Sequence, residues 1–186
     1  MNIYQNFDNI EGEFAACIGF FDGVHRGHQF LLRHLCQDAA EAGLSPAVVT
    51  FANHPRKVVQ PDFDLVLIDT LEQRLQKLEK MGIHSCFLIN FTEEIRQLTA
   101  QQFICDMLSS QLHIRRLLIG YDHRFGHNRT EGFADYVRYG ASCGMEVVQE
   151  PVFEDGTGLN YSSSEVRRAL RMGDQEKANQ LLGWTD

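Results

Sequence analysis

The sequence predicts a three-layer α/β fold, a doubly wound parallel sheet with helices on both faces, and three observations support this. Short apolar or β-branched runs alternate with helical patterns from one end of the chain to the other, as parallel strands joined by crossover helices require. The polar clusters follow the strand candidates at their carboxyl ends, where open α/β sheets bind ligands. At 186 residues with 44% hydrophobic composition, the chain is long enough for one core of ordinary size. A single domain over residues 1–186 is expected.

The run FAACIGF reads as the first strand. From His28 onward Leu31, Leu32, Leu35, Ala39 and Ala40 recur at three and four, a helical spacing, and Gly43 stops that helix. PAVVTF is a second buried strand, followed by the long loop ANHPRKVVQPDFD. TLEQRLQKLEKMG places Leu71, Leu75 and Leu78 on one helix face, with Thr70 and Gln73 spaced as a capping box and Gly82 as the stop. CFLINF is the third strand. A second capping box, Thr99 with Gln102, opens a helix whose buried stripe is Phe103, Ile104, Met107 and Leu108. RRLLIG and MEVVQEP are the fourth and fifth strands, separated by the polar loop YDHRFGHNR and a helical pattern. The chain closes with a serine-capped helix in YSSSEVRRAL and a short helix after Gly173.

Bulk properties narrow the function. A formal net charge of −8 argues against a general nucleic-acid or anionic-membrane binder, which needs a broad cationic surface. The five cysteines are scattered with no CxxC spacing, as free core thiols in a reducing cytoplasm would be. The N-terminal stretch MNIYQNFDNIEGEF has neither a basic nor an apolar segment of the kind signal peptides carry, and no stretch reaches membrane-spanning length. A cytoplasmic protein is expected.

The chemistry centres on CIGFFDGVHRGHQFLL, where His25 and His28 stand between a strand and a helix among Gly19, Gly23 and Gly27. Such a pair could hold a metal, cradle a phosphate or do neither. A zinc site needs a third and usually a fourth ligand, and no neighbouring cysteine or second histidine pair has suitable spacing. A helix N-terminus offers free N–H groups and positive dipole character, and glycine lets a phosphate approach the backbone closely. Two imidazoles on the first turn would add donors aimed at the same anion and could stabilise charge growing at phosphorus.

Four stretches then carry a resemblance. IGFFDGVHRGHQFLL resembles the HxGH signature of the nucleotidyltransferase superfamily, and YSSSEVRRAL is similar to its ISSTxIR motif. VVTFANHPRKVV and LLIGYDHRFG resemble the TFxxHP and GxDFRFG segments of bacterial bifunctional FAD synthetases. Order and spacing agree from about Ala15 to Gly183. The resemblance implies a Rossmann-like fold and an Mg²⁺-dependent FMN adenylyltransferase, in which the FMN phosphate attacks the α-phosphorus of ATP to give FAD and pyrophosphate. It implies ATP and FMN as the small-molecule partners, with neither nucleic acid nor membrane among them.

By the family's pattern His25, His28 and Arg167 are the catalytic residues. Gly19, Phe20, Phe21, Asp22 and Gly27 shape the ATP pocket, with Ser162, Ser163 and Ser164 at the phosphates. Asn53, His54, Pro55 and Arg56 serve FMN from one loop, and Asp122, Arg124, Phe125 and Gly126 from another, with Asp122 also assigned to Mg²⁺. The chain departs from the pattern at His123, where the family usually has Phe, and at Ser164, where it has Thr; Phe20 fills a variable position. The family normally continues into a riboflavin kinase module beyond ANQLLG, so riboflavin phosphorylation is not expected of this polypeptide. Two readings stand beside this one: a transferase for another phosphorylated acceptor such as nicotinamide mononucleotide, and a nucleotide- or flavin-binding module without catalysis. A class I aminoacyl-tRNA synthetase also carries HxGH, but this chain is short, acidic and without a KMSKS-like loop.

Overall fold

The computed structural model describes residues 1–62, 64–121, 123–127 and 130–184. Its centre is a six-stranded, all-parallel sheet in the order β1-β4-β3-β2-β5-β6. The strands are β1 (Asn2–Tyr4), β2 (Phe14–Ile18), β3 (Ser45–Phe51), β4 (Ser85–Ile89), β5 (Ile114–Gly120) and β6 (Glu146–Glu150). The expected first strand is therefore the second. The edge strand before it has only three residues and no apolar run, and it is recruited by parallel pairing of Asn2, Ile3 and Tyr4 with Ser85, Cys86 and Phe87.

The helices are α1 (Arg26–Ala42), α2 (Pro55–Val59), α3 (Leu71–Lys80), α4 (Glu93–Gln97), α5 (Ala100–Gln102), α6 (Phe133–Ser142), α7 (Ser163–Arg171) and α8 (Gln175–Leu182). Both capping boxes form, Thr70 with Gln73 and Thr99 with Gln102. The helix that Thr99 opens changes pitch after α5 and runs as a π-helix over Phe103–Gln111. Phe103, Ile104 and Leu108 of the expected stripe are buried, while Met107 packs at its margin.

Strand alternation sorts side chains to two cores, which makes the three layers. Ala16, Ile18, Val49, Phe87 and Leu117 face the π-helix and α6. Ala15, Cys17, Val48, Cys86 and Leu118 face α1 and α3, meeting Leu32, Leu35 and Leu78. Because β2 lies between β3 and β5, the sheet grows to either side of it, and its carboxyl end opens onto the crevice where a doubly wound sheet binds ligands.

Candidate active site

Between β2 and α1 the chain makes a 3-10 turn over Asp22–Val24, entered and left through strained backbone. Phe21 and Val24 adopt positive φ, 57° and 43°, conformations costing about 1–3 kcal/mol each that persist only when their surroundings impose them. Here the imposing groups are side chains that hold the loop's carbonyls from behind. Arg74 Nη1 donates to the Phe20 carbonyl at 2.7 Å and Ser163 Oγ to that of Asp22 at 2.9 Å. Lys77 Nζ and Trp184 Nε1 donate to Gly23, and Gln29 Nε2 and Trp184 Nε1 to Val24, at 2.9–3.3 Å.

His25 is the N-cap of α1, its Nδ1 accepting the His28 backbone N–H at 3.4 Å. The two imidazoles stack with centroids 3.7 Å apart. Burial, and after it the Arg167 charge, hold His25 down at about 4; burial and then His25 hold His28 well below its ordinary value. Both are therefore neutral at pH 7. Since His25 Nδ1 accepts, its proton sits on Nε2, which is the donor left for a ligand. His28 Nδ1 is buried with no hydrogen-bond partner, a polar atom that awaits one. Gly27 lies so close to the His25 ring and the Tyr161 carbonyl that a Cβ there would stand 3.2 Å from each.

Two cavities open on this loop. The first, about 960 Å³, is lined by Gly19, Phe21, His25, Gly27 and His28, by Ser162 and Ser163 at the start of α7, and by the segment from Glu150 to Tyr161. That segment is ordered by its own contacts. Phe153 packs between Phe30 and Tyr161 at 5.2 and 5.0 Å, His34 meets Glu150 at 2.6 Å, and Asp155 is bound by Thr157 and Tyr161. These hydrogen bonds, Thr157 first, hold the Asp155 carboxyl down at about 2. This wall has no counterpart in the residues picked from sequence, since it has neither periodicity nor a motif; its signals are the Asp155, Gly156 and Gly158 turn residues.

The second cavity, about 700 Å³, is walled by Phe20, Phe51, Phe91, Phe103 and Phe125 and edged by His54, Pro55, Arg56 and Arg124. Phe125 stacks on Tyr136 at 4.2 Å, and the Tyr136 hydroxyl shares its one proton between the Phe125 and Glu131 carbonyls, 3.2 and 3.1 Å away, and accepts the Phe125 N–H. Gly126 takes φ 92°, and a Cβ there would stand 2.8 Å from the Ala100 nitrogen. Ile18, Gly19, Phe20 and His123 line both cavities, so the two meet at the end of β2.

Not every residue singled out from sequence faces a cavity. Asp22 is buried behind the loop, its Oδ1 accepting the Ile68 and Asp69 N–H groups and its Oδ2 pairing with Arg167 at 2.6 Å. Arg167 thus lies beside His25 but is turned to Asp22. Asn53 exchanges two hydrogen bonds with the Phe91 backbone, 2.8 and 2.7 Å, tying the ends of β3 and β4 together. Ser162 caps α7 through the Glu165 N–H, and Ser164 is exposed and borders neither cavity. Asp122 lies outside the described residues.

A family model described as FAD synthetase matches residues 8–165. The bifunctional riboflavin kinase/FMN adenylyltransferase of Listeria monocytogenes serovar 1/2a is 34% identical over 173 residues, 91% of this chain and 54% of that protein. Its counterpart in Escherichia coli strain K12 is 33% identical over 166 residues, 89% of this chain and 53% of that protein. The chain thus spans about half the length of the curated relatives it matches. Among solved structures, one from Streptococcus pneumoniae described as a macrolide-efflux protein matches with a TM-score of 0.85 and 27% identity, covering 97% of this chain and 60% of that one. The pantoate-beta-alanine ligase of Francisella tularensis, with a TM-score of 0.56 and 15% identity over 100% of this chain and 80% of its own, shares the fold. Among the described residues no helix is long and apolar enough to cross a membrane. On the match over residues 8–165 and on these identities, the chain belongs to the FAD synthetase family.

Proposed function

We propose that this chain is an FMN adenylyltransferase, transferring AMP from ATP to the phosphate of FMN to give FAD and pyrophosphate. The observation that carries the reading is the pair of cavities sharing one wall at Ile18, Gly19 and Phe20. A nucleotide seated in the first, with its phosphates at the N-termini of α1 and α7, and a flat ring system between the phenylalanines of the second would bring their phosphates together at that wall.

An oxygen of the FMN phosphate attacks the α-phosphorus of ATP, the bond from that phosphorus to the bridging oxygen of the β-phosphate breaks, and pyrophosphate leaves. Both substrates are anions, so the work of the protein is alignment and stabilisation of charge. His25 donates from Nε2 as a neutral imidazole, and His28 Nδ1 gains its missing partner. The start of α7 offers N–H groups and the Ser162 hydroxyl to the β and γ phosphates, and Arg167, paired with Asp22, adds positive charge beside His25. His54, Arg56 and Arg124 edge the flavin side, with the aromatic wall of Phe125 held by Tyr136.

Magnesium enters as the MgATP complex. Such an ion would be held mainly by the substrate phosphates and waters, with one or two carboxylates, and would screen the charge of the phosphates. Purified protein given ATP, Mg²⁺ and FMN is expected to form FAD and pyrophosphate in equal amounts. No FAD, or faster adenylylation of nicotinamide mononucleotide than of FMN, would overturn the assignment.

A further inference from the structure

We infer that Arg74 is a positioning residue for adenylyl transfer, locking the nucleotide loop to the flavin loop at the point where the two cavities meet. This role rests on the proposed FMN adenylyltransferase activity.

Arg74 belongs to α3, on what reads as a polar stretch, yet it is only 2% exposed. Its Nη1 donates to the carbonyl of Phe20 at 2.7 Å and its Nη2 to that of Phe51 at 2.6 Å. The guanidinium lies 3.9 Å from the centroid of the Phe20 ring. Phe20 lines both cavities and Phe51, the last residue of β3, lines the second. One rigid fork thus joins the carboxyl ends of β2 and β3.

The cost of placing the charge there points the same way. The nearby carboxylates are engaged elsewhere, Asp22 by Arg167 and Asp69 by Lys77 at 2.8 Å. Arg74 has only carbonyl partners, and its Nε is buried with none. A buried cation held by carbonyls alone is a poor stabilising device compared with an apolar side chain of similar volume. What a planar guanidinium supplies, and an apolar chain or an ammonium does not, is two parallel donors at fixed separation together with a face to lay on an aromatic ring.

Together with Thr50 Oγ1, 3.3 Å from the same carbonyl of Phe20, Arg74 fixes the backbone and ring of a residue that lines both cavities. In-line transfer needs the reacting atoms about 3–3.5 Å apart, and a misplacement of about 1 Å can cost a factor of about 100.

The test compares Arg74→Met and Arg74→Lys with the unaltered protein. Initial rates of FAD formation give kcat and both KM values, thermal unfolding gives the folded fraction at the assay temperature, and rates are expressed per folded molecule. Arg74→Met is expected to lower kcat about 100-fold while each KM moves by less than about threefold, and Arg74→Lys to recover part of that loss. A kcat per folded molecule within about threefold of the unaltered protein, in whichever variant folds, overturns the role, as does a loss confined to KM. If the unaltered protein forms no FAD, the assigned activity fails and this role with it. FAD from the unaltered protein at an undiminished rate in the variants removes the role alone.

Discussion

Acid should destabilise this protein through His25 by an amount the structure sets. The side chain is 5% exposed, and its pKa falls from 6.5 to about 4. At about 1.4 kcal/mol per pH unit that drop corresponds to about 3 kcal/mol in all. The unfolded chain takes up the proton first, so between the two values it binds more protons than the folded chain. Stability is therefore complete above pH 6.5 and is lost as the pH falls toward 4, below which both states carry the proton. The comparison is with His25→Asn, which cannot titrate but keeps an acceptor for the His28 N–H at the start of α1. Urea unfolding of both proteins at pH 7 and pH 4.5 is expected to show the unaltered protein losing about 2 kcal/mol more than the variant over that interval. Carboxylates titrate in both proteins and largely cancel in the difference, and burial, the larger cause of the His28 shift, remains in the variant. Equal acid losses in the two would refute the reasoning, because His25 would then take up its proton as readily in the folded as in the unfolded chain and burial would not be holding its pKa down.

Replacing His28 by Ala is expected to slow FAD formation about a hundredfold or more if the imidazole stabilises the transition state; a steady-state assay with normal turnover would end that assignment. Tyr136→Phe removes a fully buried hydroxyl that serves two carbonyls and one N–H. Thermal unfolding should show a loss of about 1–3 kcal/mol, with KM for FMN rising because Phe125 loses its anchor. An unchanged midpoint and unchanged KM would show that the ring stack alone holds the wall.

Local chemistry made much of this molecule legible before any coordinates. Five of the six strands fall on the runs picked from sequence, and both Thr-Gln capping boxes lie where three-residue spacing puts them. What escaped was decided by contacts distant in sequence. The strand at Asn2–Tyr4 exists because β4 offers it an edge. The π-helix over Phe103–Gln111 keeps the same apolar positions as an α-helix over so short a stretch, so periodicity does not separate them. At the site, His25, His28, Ser162, Ser163 and His54 line the two cavities, since strand ends and helix starts fix backbone position. The motifs do not place side-chain direction. Asp22 and Asn53 point away from both cavities because buried partners claim them, Arg167 and two N–H groups for one and the Phe91 backbone for the other. Arg74 stands between Gln73 and Leu75 in a stretch that reads as solvated helix, and only the packing of α3 under the loop makes it a buried cation.

The grip of Trp184 on Gly23 and Val24 spans 161 and 160 positions of the chain, and Leu182 accepts from Gln29 across 153. The turn between β2 and α1 thus gains some of its partners only when residues far along the chain have folded against it. Until the final turn of α8 has docked, two of the carbonyls in the strained turn have lost part of their restraint, and Val24 has less reason to hold a φ that β-branched residues avoid. With Trp184 removed, the chain would keep every histidine of the signature yet lose two of the contacts that hold the turn. The turn that carries the motif is thus held in shape by a segment more than 150 positions away.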